Sequence, residues 1–181
     1  MNVTDFAKEC LANEVQSLKL SAAQRLLNYS ISLNYEISQI FSILDEDCRI
    51  NKDLVQAQIG QCFYFITNTI MFLKSDPQNL FDESNTINFH KKNSLLFKLT
   101  HKSLVGFRET IIRHQIQKDL NYALISSAVN LNLIKESRGS NLDEIQYTDQ
   151  LLNILSSLNS ILNILEINNI DLILDNVIKK K

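Results

Sequence analysis

Residues 22 to 46 read AAQRLLNYSISLNYEISQIFSILDE. Leu26, Leu33, Ile37, Ile40 and Leu44 follow one another there at steps of seven, four, three and four. Such steps return to one side of a 3.6-residue helix, so the stretch predicts a long amphipathic α-helix with one buried stripe. Ser21 stands just ahead of it, a residue whose hydroxyl caps the free amides of a first turn. Before it, a helix is expected from about Thr4 to Leu18. After it, Asp45, Glu46, Asp47, Arg49, Asn51 and Lys52 mark a polar turn. The next helix is expected from near Asp53 to Leu73, with Val55, Ile59, Cys62, Ile66, Ile70 and Leu73 facing one way. Ser75, Asp76 and Pro77 give a stop and a new start, with proline in a first turn where its missing N–H costs nothing. A short helix should then run to about His90.

The same order recurs downstream. Helices are expected from Ser94 to His114 and from Gln115 to Glu136, then a turn at Arg138-Gly139-Ser140-Asn141. Leu151, Leu155, Leu158, Leu162 and Leu165 form a bundle seam on a helix from Leu142 to Leu165. Asn168 and Asn169 break it, and a last helix runs from about Asp171 to Lys179. Letters repeat too. Leu27-Asn28-Tyr29 returns as Leu120-Asn121-Tyr122, 93 positions on, and Gln58-Ile59 as Gln150-Leu151, 92 positions on. The reading is an internal duplication, with residues 1–92 as one helical repeat and 93–181 as a second, more diverged one. The fold class expected is all-α. About eight helices would form two four-helix units around a pseudo-two-fold axis, an intramolecular pseudo-dimer.

Composition agrees. Only 3 glycines and 1 proline occur in 181 residues, too few for the tight turns of an all-β fold. The net charge is −2, and the sole basic run is Lys179, Lys180 and Lys181, which suits a solvated helix end. Nucleic acid is therefore not an expected partner. Charged residues interrupt the first twenty positions, and no run of 18 apolar residues occurs, so neither a signal peptide nor a membrane span is expected. Three widely spaced cysteines, Cys10, Cys48 and Cys62, read as ordinary thiols of a cytoplasmic protein. His90, His101 and His114 lack zinc spacing. Phosphate-binding glycine loops and nucleophile-elbow serines are missing. Arg108, Glu109, Arg113 and Lys118 read as a solvated charged stripe, and Phe63-Tyr64-Phe65 as core packing.

Asn28 to Leu73, NYSISLNYEISQIFSILDEDCRINKDLVQAQIGQCFYFITNTIMFL, resembles the MazG-like, all-α nucleoside triphosphate pyrophosphohydrolase superfamily. That family typically carries a Gly-Leu-x-x-Glu-x-x-Glu helix, a polar loop, and a Glu-x-x-Asp helix continuing Gly-Asp-Val-Leu-Trp-Tyr. Leu33 and Glu36 match the first helix. Gly60, Phe63, Tyr64 and Phe65 match the second. The family's later Asn-x-x-Lys is matched by Asn88 and Lys91, and again by Asn176 and Lys179. The resemblance implies a helical bundle in which paired carboxylates, one turn apart on facing helices, hold Mg²⁺ against a triphosphate.

The sequence departs from that pattern where the metal would bind. Glu36 remains, but its partner position is Gln39, and the facing helix offers Gln58 and Gln61. In the second copy the corresponding residues are Val129, Asn132, Gln150 and Asn153. Amides offer a carbonyl oxygen and N–H donors but no charge, so they cannot replace several carboxylates around Mg²⁺. The expectation is a degenerate, non-catalytic member without a cofactor. It would bind, and in that way sequester, a nucleotide-type or phosphorylated small molecule through Glu36, Gln39, Gln58, Gln61, Asn132, Gln150 and Asn153, with Asn88, Lys91, Asn176 and Lys179 beside them. Two alternatives stay open. One is a Mg²⁺-dependent pyrophosphohydrolase with a rearranged site that recruits Asp45, Glu46, Asp47 or Asp149. The other is a helical interaction module, packing as a homodimer, whose amides are incidental.

Overall fold

The computed structural model describes residues 1–13, 20–46, 50–91, 105–137 and 142–179. The fold is all-helical. The described residues form seven helices: α1 Val3–Ala12, α2 Ala22–Glu46, α3 Lys52–Phe72, α4 Pro77–Lys91, α5 Val105–Ser137, α6 Glu144–Ile164 and α7 Ile170–Ile178. Among the described residues, none of these is long and apolar enough to cross a membrane.

Local chemistry explains the boundaries. Ser21 and Gln24 form a reciprocal capping box at the start of α2. The Ser21 hydroxyl accepts from the Gln24 amide at 3.3 Å, and the Gln24 side chain accepts from the Ser21 amide at 2.9 Å. Asn51 caps α3 by accepting from Leu54 N–H, and Asp143 caps α6 by accepting from Gln146 N–H. Both of those helices are 21 residues long. Both also end on a left-handed residue, Lys74 at φ 58° and Glu166 at φ 62°. The following amides turn back in the same way: Ser75 N–H donates to Ile70 C=O, and Ile167 N–H donates to Leu162 C=O. This is a Schellman turn, and it satisfies carbonyls that a helix end would otherwise leave open.

One expectation changes. The two helices expected on either side of His114 and Gln115 are a single continuous helix, α5, from Val105 onward. Nothing between Arg113 and Ile116 breaks a helix, so the backbone hydrogen bonds simply continue. The part of the first expected helix before Val105 lies outside the described residues, as does the end of the helix expected to reach Leu18.

Packing follows the apolar stripes. Leu33, Ile37, Ile40 and Leu44 of α2 are buried with Val55, Ile59, Cys62 and Ile66 of α3 in one continuous core. Full burial of each such side chain contributes about 1.5–3 kcal/mol. Arg25 lies over the ring of Phe72, and Glu36 meets Gln58, so α2 and α3 run antiparallel. α5 packs along α6, and α2 packs against α5. The short helices cross over: α7 packs on α3, while α4 packs on α6. α1 closes one end against α3, α4 and α7. Phe63 meets Phe81 edge to face at 5.3 Å, and Phe63 and Tyr64 of the aromatic run are buried while Phe65 is half-buried against the core.

Candidate functional site

Glu36 sits half-buried on α2 and accepts a hydrogen bond from the Gln58 amide of α3. Gln39 lies one turn further along α2 and Gln61 one turn further along α3, both half-buried. Residues three apart share a helix face, so the surviving carboxylate and three amides lie on two paired helices. Cys62, beside Gln61, is fully buried. Burial pushes its thiol well above the usual range, and the Glu36 charge adds to that. Such a thiol stays protonated and inert.

Of the carboxylate and three amides, Gln61 also lines a groove against α7, whereas Glu36, Gln39 and Gln58 are not among its lining residues. α7 lies against α3, and an open groove of about 440 Å³ runs between them. Asp53, Gln56 and Gln61 line it from α3, and Leu172, Ile173 and Asn176 from α7. Gly60 is what lets the helices approach. A Cβ built there would stand 2.6 Å from Val177 Cγ2 and 3.0 Å from Ile173 Cγ2. The glycine that fits a family motif therefore has a packing reason of its own.

Gln61 and Asn176, expected as site positions in different halves, thus share one groove. Lys179 is exposed at the end of α7, one turn past Asn176. The second set is more open: Asn132 and Asn153 are exposed, and Gln150 is half-buried. The side chains of Asn88 and Lys91 lie outside the described residues, as do those of Asp45, Glu46 and Asp47. Asp149 is exposed on α6. Among the described residues, no three His, Cys, Asp or Glu side chains converge as a metal site would require.

No family model, no curated protein and no solved structure matches this chain.

Sequence reasoning missed Asp53 and Gln56 as lining residues. Asp53 reads there only as a helix start. The crossing of α7 onto α3 joins residues more than a hundred positions apart, and local periodicity carries no trace of it.

Proposed function

We propose that this chain is a non-catalytic, MazG-like protein of two helical repeats that holds a nucleotide-type or other phosphorylated small molecule without cleaving it. The observation that carries the reading is the shared groove of Gln61 and Asn176. Amide side chains offer both donors and acceptors, which suits base edges and sugar hydroxyls. Lys179, one turn beyond, would meet a phosphate at the exposed end. The one carboxylate of the motif, Glu36, is already engaged by Gln58. A single carboxylate gives Mg²⁺ too few hard oxygen ligands for metal-assisted hydrolysis.

Three regularities support the two-repeat reading. α3 and α6 start 92 residues apart, on side-chain caps, and stop 92 residues apart, on the same left-handed turn. The buried residues Leu80, Phe81 and Ser84 of α4 correspond to Ile173, Leu174 and Val177 of α7, each pair 93 apart. Finally, Asn34 of α2 donates to Ser127 of α5 at 3.2 Å, again across 93 positions. Equivalent residues touch one another only beside a two-fold axis. The reciprocal packing of α7 on α3 and α4 on α6 fits the same axis.

A thermal-shift screen of the whole chain against nucleotides and cyclic nucleotides, with and without Mg²⁺, tests the function. A stabilising ligand that acts equally without Mg²⁺ is the expected result. Mg²⁺-dependent release of pyrophosphate, abolished by Glu36→Gln, would replace this reading with the enzyme. One further feature favours a partner surface as the second reading. Leu27, Ile31 and Tyr35 form a stripe on α2 and are 38%, 51% and 58% exposed. A blank ligand panel, with self-association in sedimentation lost on Ile31→Glu, would move the function there.

A further inference from the structure

The polar side chains lining the α3/α7 groove are one carboxylate, Asp53, and the amides of Gln56, Gln61 and Asn176. Among the described residues, no Lys, Arg or His lines it. Its remaining lining is apolar: Ala57, Leu172, Ile173 and Val177. A carboxylate only accepts hydrogen bonds, so it is matched by a ligand edge that only donates. Amidine and guanidine-type forks do this with two parallel N–H groups, and the bond is strengthened by charge. An anion placed in the same groove would face the Asp53 charge, with no cation among its described lining residues to offset it.

We propose that this groove takes the amine-bearing, apolar-bodied end of its ligand, and that Asp53 is the residue that sets the preference. The proposal rests on the groove being the ligand site, as in the function above, and adds which end of the ligand enters. The amine edge points to Asp53, the apolar face lies on Leu172 and Ile173, and any phosphate stays outside, toward Lys179. Asp53 also occupies the first turn of α3, where the helix dipole favours a negative side chain. Asparagine at this position keeps the size and the polar edge, so Asp53→Asn isolates the charge.

The test uses the full chain, ¹⁵N-labelled, titrated with benzamidine, benzamide and benzoate. These share one shape and carry a positive, a zero and a negative charge. The side-chain amide resonances of Gln56, Gln61 and Asn176, which line this groove, report its occupancy. Benzamidine should bind best and benzoate worst. Asp53 is exposed, so its charge acts through solvent, and Asp53→Asn should weaken benzamidine about three- to fivefold and level the three. Asp53→Glu should restore the order. Equal binding of benzoate, an unchanged order in Asp53→Asn, or unmoved amide resonances at millimolar ligand would overturn the proposal. The two readings fail separately. Nucleotides moving these resonances while the three analogues show no order would sink only the amine preference. Ordered analogues with silent nucleotides would sink only the nucleotide function.

Discussion

Gly60→Ala tests how closely α7 is seated. The new methyl would stand 2.6 Å from Val177 Cγ2 and 3.0 Å from Ile173 Cγ2. Non-bonded carbons rest at about 3.5–4.0 Å, so the overlap with Val177 is roughly 1 Å. Val177 is 3% exposed and Ile173 1%, and both are β-branched, so neither has an open rotamer to swing into. Overpacking of this kind costs about 1–3 kcal/mol. Replacing glycine with alanine inside a helix returns about 1 kcal/mol. The net expectation is a loss of about 1 kcal/mol. The sharper test is a double-mutant cycle. Val177→Ala alone removes two buried methyl groups and costs roughly 2 kcal/mol. In that background the closest contact is gone, and Gly60→Ala should become neutral or stabilising. The expected coupling is about 1–3 kcal/mol, read from urea unfolding followed by circular dichroism. If Gly60→Ala stabilises the parent chain by the full helix-propensity gain, and the coupling is below about 0.3 kcal/mol, then α7 does not lie on Gly60. The groove would fall with it.

Other substitutions probe the rest of the bundle. Tyr147 is buried, and its phenol is pushed up to about 12 by that burial, against a smaller opposing pull from its hydrogen bond with Ser30 at 2.5 Å. A raised native value means that the unfolded chain loses its proton first. The Tyr147 contribution is therefore whole below about pH 10, declines as the pH rises above that, and is gone by about pH 12. Tyr147→Phe should flatten this limb of the stability–pH curve, and an unchanged alkaline slope would refute the assignment. Lys74→Gly should raise stability by roughly 1 kcal/mol, because lysine at φ 58° carries a left-handed penalty that glycine lacks. A lower melting temperature would count against that turn. Asn159 donates to Ser84 at 2.8 Å inside the bundle, so Asn159→Ala should cost about 1–3 kcal/mol in denaturant unfolding.

Much of the first half is legible in the letters. Ser21 and the stripe from Leu26 to Leu44 place α2, because the apolar period and the cap agree. The second half is harder for a physical reason. The buried face of α5 carries Asp119, Ser126, Ser127 and Asn130 where an apolar stripe would normally run. Its period is correspondingly faint, and a helix boundary was expected where none exists. Of the candidate site, helix spacing placed Glu36 with Gln39 and Gln58 with Gln61. The Glu36–Gln58 contact follows once α2 and α3 pair antiparallel. The groove does not follow, because it depends on α7 crossing to α3 and not to α6. That crossing brings Val177 and Ile173 onto Gly60, a long-range contact that no local window contains.

The crossing of the short helices means that neither half owns its own surface. A stop introduced just before Ile170 would remove a helix only 9 residues long, yet it would strip one wall from a groove whose other wall begins at Asp53. Cutting the chain at its midpoint would not release two working modules either. Each fragment would keep its long hairpin and expose the patch that the other fragment's short helix had covered. Substitutions in α7 are thus felt as changes to the first half, and the residues of α7 and α3 can change only as far as each helix still fits the other.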